Sequence, residues 1–142
     1  MDKLWIVSSK VQKNLPFKYL PINSMTNSNQ LWGAYGEQLS SAYLQRHGYR
    51  ILATNWRCHR QEIDLIAQQQ STLVLVEVKL RLTANFGLAV DALTKYKIKQ
   101  LNKAVNYLLQ IYHPLNWRYD FIAIDLNLVK RLARLCHYRQ II

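Results

Sequence analysis

Glu37, Glu62, Asp64 and Glu77 are four of only eight carboxylates in a chain with nineteen lysines and arginines and a formal charge of +11. Half of the acid therefore falls within forty-one residues. Around the last three acids the chain reads Gln61-Glu62-Ile63-Asp64-Leu65-Ile66-Ala67, then Leu73-Val74-Leu75-Val76-Glu77-Val78-Lys79. Acids alternate with aliphatic residues, and the second run closes on Glu-x-Lys. These residue types suit metal-dependent phosphodiester hydrolysis. Carboxylates such as Asp64 and Glu77 hold a hard cation, Mg²⁺ or Mn²⁺, and Lys79 can reach an attacking water or a scissile phosphate. The competing reading is a solvated face of half-buried strands, where the same alternation is common. The concentration of acid in an acid-poor chain weighs against it. So does the aliphatic character of the Glu77 run, because a charge in a central strand needs compensation.

Strand geometry turns the pattern into a register. Successive strand residues point to opposite faces. Glu62 and Asp64 are expected on one face, with Ile63 and Leu65 on the other. Glu77, Lys79 and Arg81 share a face, and Val74, Val76, Val78 and Leu80 fill the opposite one. Polar residues 68–72 lie between the two runs. A hairpin centred between Gln70 and Ser71 opposes residues whose numbers sum to 141. Asp64 then faces Glu77, and Glu62 faces Lys79. Facing like charges cost a few tenths to about 1 kcal/mol, a cost that a bound cation removes. A one-residue slip would send one strand's acids to the wrong face.

The elements that must hold these strands are also legible. Apolar residues at Leu31, Trp32, Tyr35, Leu39, Ala42 and Tyr43 predict a helix over 30–47, with Gly48 as its stop. Glu37 lies off that stripe, among the small residues Gly33, Ser40 and Ser41. Residues 49–57 read as a first strand, followed by a basic loop with Arg57 and Arg60. Residues 82–91 read as an irregular stretch with a turn at Asn85-Phe86-Gly87. A second helix is expected over 94–112, with Ile98, Leu101, Val105, Leu108 and Tyr112 as its core stripe. Lys95, Lys99 and Lys103 recur every four residues and drift only about 40° per step. No acid lies between Asp91 and Asp120 to pair with them, which favours a phosphate-facing ridge over a solvated one. Lys97 stands at the margin of the apolar stripe. Residues 118–126 read as a further strand beginning near Asp120. Lys130, Arg131, Arg134 and Arg139 follow in a last strand or a tail.

Length and composition fit one domain with a sizeable core. No apolar run approaches the roughly 20 residues of a membrane span. Ser8, Ser9, Lys10, Gln12, Lys13 and Asn14 interrupt any signal-peptide-like core, so a cytoplasmic location is expected. Cys58 and Cys136 each precede a histidine, but adjacent strand residues point apart and neither pair has zinc-ligand spacing. Free thiols are expected. Residues 1–29 lack periodicity and are expected to be a flexible basic extension. A start at Met25 is an alternative, with folding independent of the preceding residues. No Walker loop, dinucleotide fingerprint or coiled-coil heptad is present.

From Gly33 to Asp125 the chain resembles the YraN family of bacterial proteins, which carry a restriction-endonuclease-like, PD-(D/E)xK fold. The matching stretches include Gly33-Ala34-Tyr35-Gly36-Glu37, Gly48-Tyr49-Arg50-Ile51-Leu52, Glu62-Ile63-Asp64-Leu65-Ile66-Ala67, Leu75-Val76-Glu77-Val78-Lys79-Leu80-Arg81 and Arg118-Tyr119-Asp120. They occur in family order over about two thirds of the chain. Gln61 stands where the family often has glycine, a departure that touches a turn. The resemblance implies a nuclease-like site with Glu37, Asp64, Glu77 and Lys79 at the motif positions, and Lys97 turned toward the sheet.

The expectation is an α/β domain with a mixed sheet of about four or five strands flanked by two helices. Its expected function is metal-dependent endonuclease action on DNA rather than RNA, on a branched or linear substrate. Asp64 and Glu77 bind Mg²⁺ or Mn²⁺ in this scheme, with the Val78 carbonyl as a further ligand and Glu37 completing the shell. Lys79 serves the attacking water or the developing charge. Arg57, Arg60, Arg81, Lys95, Lys97, Lys99 and Lys103 hold the phosphate backbone. A homodimer would suit a branched substrate. The alternatives are a non-catalytic nucleic-acid-binding module that keeps the fold, and a partner-binding scaffold.

Overall fold

Aliphatic residues at two-residue spacing make strands in this chain, and two stretches with apolar residues every three to four positions make helices. A computed structural model describes residues 3–8, 28–83, 95–130 and 132–142. The elements are β1 (Lys3–Ser8), α1 (Ser28–Arg46), β2 (Arg50–Cys58), β3 (Gln61–Gln69), β4 (Thr72–Leu82), α2 (Lys95–Tyr112), β5 (Asn116–Asn127) and β6 (Leu132–Tyr138). Strands β2 to β6 form a mixed sheet, and β1 extends its edge in the order β1-β6-β5-β4-β3-β2. Only β4 and β5 run parallel. A parallel pair needs a crossover, and α2 lies within the connection between them.

The sheet buries both faces. On one, Tyr35, Leu39 and Leu44 of α1 pack with Leu65, Val74, Val76, Ile122 and Ile124. On the other, Leu101, Ala104, Val105 and Leu108 of α2 pack with Ile63, Ile66, Leu75 and Tyr119. Each fully buried aliphatic side chain contributes about 1.5–3 kcal/mol. Because both faces are covered, β5 reads as a nearly continuous buried strand from Tyr119 to Asn127, as parallel strands do. This α/β architecture agrees with the sequence expectation, with six strands where four or five were expected.

The sixth strand comes from the segment expected to be a flexible extension. Lys3–Ser8 pairs antiparallel with β6, from Lys3 opposite Tyr138 to Ser8 opposite Ala133. The apolar run Leu4-Trp5-Ile6-Val7 is the trace of this strand, too short and unalternating to show as a periodic signal. Residues 9–27, including Phe17, Tyr19 and Met25, lie outside the described residues, as do the 84–94 stretch and its Asn85-Phe86-Gly87 turn.

Helix α1 ends as expected at Gly48, whose φ of 81° is left-handed. Tyr49 N–H donates to the Leu44 carbonyl and Gly48 N–H to the Gln45 carbonyl, the pair of bonds of a Schellman stop. Its buried stripe is rotated from the expected one. Leu31 is 38% exposed, whereas Gly36 and Ser40 are buried. The reason is close approach to β4. A Cβ built on Gly36 would lie 2.9 Å from Leu80 Cβ and 3.5 Å from Val78 Cγ1. In α2 the expected stripe holds at Leu101, Val105 and Leu108, but Tyr112 is exposed and Ala104 is buried. Gly36→Ala should therefore lose about 1–3 kcal/mol of stability from overpacking against β4, measured by urea unfolding. A stability equal to wild type would mean that α1 can slide away from β4 at no cost.

A buried polar network ties β5, β6, the β3 end and α1 together. His137 Nε2 lies 2.8 Å from Asp120 Oδ2, and both side chains are fully buried. Arg118 Nε donates to Asp120 Oδ1 at 3.0 Å, and its Nη2 reaches Tyr49 Oη and Gln69 Oε1. Gln140 N–H donates to Asp120 Oδ1 at 2.9 Å. Tyr43 Oη is 3.3 Å from His137 Nδ1. One tautomer, with the proton on Nε2, satisfies both histidine contacts. Burial alone would raise the Asp120 pKa, but the bonds from His137, Gln140 and Arg118 outweigh it and hold it below 3.8.

A folded pKa below the unfolded one stabilises the protein above the unfolded value, and that stability is lost as pH falls through the folded value. Asp120→Asn should cost about 3–5 kcal/mol near neutral pH, because it breaks a buried pair. It should also flatten the loss of stability below about pH 4. Unfolding curves across that acid range test this. A variant that falls as steeply as wild type would remove Asp120 as a source of acid lability.

Candidate active site where β3 and β4 part

The antiparallel ladder of β3 and β4 pairs Gln69 with Thr72, Gln68 with Leu73, Ala67 with Val74, Ile66 with Leu75 and Leu65 with Val76. Every pair sums to 141, the register that the sequence predicts. The ladder stops at Leu65. The next opposed positions are Asp64 and Glu77. There the Val78 backbone N–H donates to Asp64 Oδ2 at 2.7 Å. A side-chain carboxylate thus accepts a β4 N–H, an inner-strand donor that burial would otherwise leave costly.

Strict alternation fails at this point. Ile63 packs with the α2-side core, whereas Leu65 packs with the α1-side core. The two were expected to share a face. With the Asp64 carboxylate bonded to the β4 backbone, the strand cannot keep its pleat through 63–65. Glu62 accordingly does not face Lys79. It pairs across β2 with Arg57, at 3.1 Å between exposed side chains, an ion pair worth under about 1 kcal/mol.

Glu77 is 7% exposed. It follows Leu75 by two residues, which sets it on the α2 side of the sheet with Lys79 and Arg81, both exposed. Val78 and Leu80 pack on the α1 side, as expected. Tyr119 stands beside Leu75 on the parallel neighbour β5 and is fully buried. Burial raises its pKa far above the ordinary value, and the charges of Glu77 and then Asp64 raise it further. Its hydroxyl has no hydrogen-bond partner among the described residues. A buried hydroxyl left unsatisfied costs about 1–3 kcal/mol. Sequence reading missed this residue, because one tyrosine in an aliphatic strand looks like core.

Glu37 is placed apart from that pair. Its Oε2 accepts from Asn55 Nδ2 at 2.7 Å. Asn55 has a φ of 50°, a left-handed conformation that asparagine tolerates better than most residues. Burial raises the Glu37 pKa, the Asn55 bond lowers it, and the charges of Glu62 and Arg57 act in opposite directions. Glu37 lines a cleft of about 360 Å³ with Ser41, Thr54, Asn55 and Leu65, and Leu65 belongs to the α1-side core. Among the described residues no three His, Cys, Asp or Glu side chains come close enough to hold one ion. The two acids at opposed strand positions are Asp64 and Glu77. This fits the chemistry of Mg²⁺, which keeps several waters and takes one or two carboxylates plus substrate oxygens. The unsatisfied Tyr119 hydroxyl fits a polar occupant there as well.

The cations divide in the same way. Arg57 is engaged by Glu62. Arg60 and Lys103 are exposed and line one groove between the β2–β3 turn and α2. Lys99 is exposed one turn earlier on α2. Lys95 and Lys97 open α2, and their side chains lie outside the described residues. Cys58 and Cys136 are free thiols. No helix among the described residues is long and apolar enough to cross a membrane.

Comparison with known proteins bears on the same stretch. The profile of uncharacterised protein family UPF0102 matches residues 36–124, from the glycine against β4 into β5. A UPF0102 protein of Geobacter sulfurreducens is 40% identical over 109 residues, covering 75% of this chain and 85% of that protein. One from Flavobacterium psychrophilum is 46% identical over 101 residues, covering 70% and 84%. One from Chlorobium phaeobacteroides is 38% identical over 109 residues, covering 75% and 86%. The matched span holds the second part of α1, β2, the β3–β4 hairpin with its two opposed acids, α2 and most of β5, and the chain belongs to the UPF0102, or YraN, family.

Proposed function

We propose that the protein is a divalent-metal-dependent, nuclease-like hydrolase of DNA phosphodiester bonds. One observation carries this reading: Asp64 and Glu77 stand at opposed positions where β3 and β4 part, with Lys79 two residues on along β4. In this reading the two carboxylates and the Val78 carbonyl hold Mg²⁺ or Mn²⁺. When bound, the ion supplies Lewis acidity toward a phosphate oxygen and lowers the pKa of a coordinated water. The chain's own residues do the rest. Asp64 keeps its orientation through the Val78 N–H. Lys79, exposed on the same side, holds the attacking water or faces the charge that develops on the phosphorus oxygens. Tyr119 offers its hydroxyl from the buried side. Arg60, Arg81, Lys99 and Lys103 hold backbone phosphates without reading bases.

A second reading is a nucleic-acid-binding module that keeps the fold without cutting. The separation of Glu37 from the acid pair favours it. Both readings use the same basic surface. The free thiols suit the reducing cytoplasm, and a symmetric pair of chains would suit a branched substrate.

Cleavage separates the two readings. Labelled branched and linear DNA should be cut in Mg²⁺ or Mn²⁺. Asp64→Asn, Glu77→Gln and Lys79→Ala should each slow cutting about a hundredfold or more while the protein still binds DNA. If wild type binds DNA but cuts nothing with either ion, the non-catalytic module replaces the nuclease reading.

A further inference from the structure

The β2–β3 connection is a two-residue turn, with Cys58 opposite Gln61 and His59 at a left-handed φ of 55°. A non-glycine residue held there carries strain of about 1–2 kcal/mol, so its position is imposed by its surroundings. His59 sits against Tyr107 of α2, with ring centroids 5.0 Å apart and planes inclined by 48°. The two rings border a groove of about 630 Å³ that Arg60, Gln61, Lys103 and Asn106 also line. Among the described residues no acidic side chain lines it. Its volume falls in the range of small-molecule sites, roughly 300–1,000 Å³.

Each wall matches one part of a nucleotide. Arg60 and Lys103 offer two cations to a phosphate. The amides of Gln61 and Asn106 offer both donors and acceptors to a base edge. Tyr107, 38% exposed, offers a ring face for stacking. A duplex hides its base faces within its own stack, so only an unpaired base can use such a ring. The groove also lies where the reaction would need it. Gln61 opens β3, and Asp64 follows three residues later, about 10 Å along the strand. The groove lies between the β2–β3 turn and α2, and α2 packs on the sheet face to which Glu77 belongs.

We infer that this groove binds an unpaired nucleobase with its adjoining phosphate, so that the protein engages single-stranded DNA or a single-stranded segment beside the acid pair. The inference rests on the nucleic-acid reading above and narrows its substrate to one with unpaired nucleotides. Stacking on Tyr107 supplies the preference for single strands, and the cations supply affinity for any strand.

Fluorescence anisotropy with three labelled probes tests it: a single strand, a single strand of abasic sites, and a duplex. Tyr107 lies on the exposed side of α2, so Tyr107→Ala should still unfold cooperatively, with at most a modest loss of stability from the lost His59 contact. It should bind the single strand about tenfold or more weakly and bind the abasic strand and the duplex as wild type does. Tyr107→Phe keeps the ring and should bind like wild type. Lys103→Ala should weaken all three probes and flatten their salt dependence. If Tyr107→Ala changes single-strand binding less than twofold, or weakens all three probes alike, the groove does not hold a base, and the nuclease reading stands without it. If wild type binds none of the probes, the nucleic-acid reading fails with it.

Discussion

The geometry of the candidate site follows from the bond between the Asp64 carboxylate and the Val78 backbone N–H. It stands where the ladder of β3 and β4 has ended one pair earlier. A backbone carbonyl would normally accept that N–H, and a buried N–H without an acceptor is costly. Supplying a carboxylate instead does two things. It breaks the pleat, so that Ile63 and Leu65 serve different cores. It also fixes an acid beside Glu77, at the end of the buried stretch Val74–Glu77 of β4. Two acids in that position repel unless something positive joins them, and the proposed cation is one answer to that constraint.

The rest of the fold keeps β4 still. Gly36 lets α1 press its backbone onto Val78 and Leu80, directly behind Glu77 and Lys79. On the opposite side α2 packs over β3 and presents Lys99 and Lys103 to solvent. The Asp120–His137–Arg118 network clamps the start of β5 to β6 and to the β3 end. Its cost is desolvation of a carboxylate, offset by three hydrogen-bond donors that hold Asp120 ionised. Rigid support of this kind is what a preorganised site requires.

Some of this was legible in the chain, and the reasons are physical. The β3–β4 register could be written down by centring the turn in polar residues 68–72, and alternation excluded only the one-residue slips that would turn an aliphatic face outward. The Gly48 stop was legible because a left-handed residue must end the helix. The rotation of α1 was legible only in part: small residues such as Ser40 beside Glu37 let another backbone approach closely, but the stripe of large side chains pointed the buried face elsewhere. The place of Glu37 was not legible. Helical periodicity says that it leaves the apolar stripe, but not that Asn55 on β2 will take it. Tyr119 and His137 were missed for a related reason: burial of a polar group is invisible until its neighbours are known. Edge strand β1 did leave a short apolar run, Leu4-Trp5-Ile6-Val7, but four residues without alternation do not say which strand they will pair with.

The central claim is that Asp64 and Glu77 act as one cation site without Glu37. Calorimetric titration of Mn²⁺ into the full chain tests it most directly. The account predicts one ion per chain for wild type, the same for Glu37→Gln, and no binding for a folded Asp64→Asn. A wild type that takes up no ion, or an Asp64→Asn variant that binds as tightly as wild type, would contradict it.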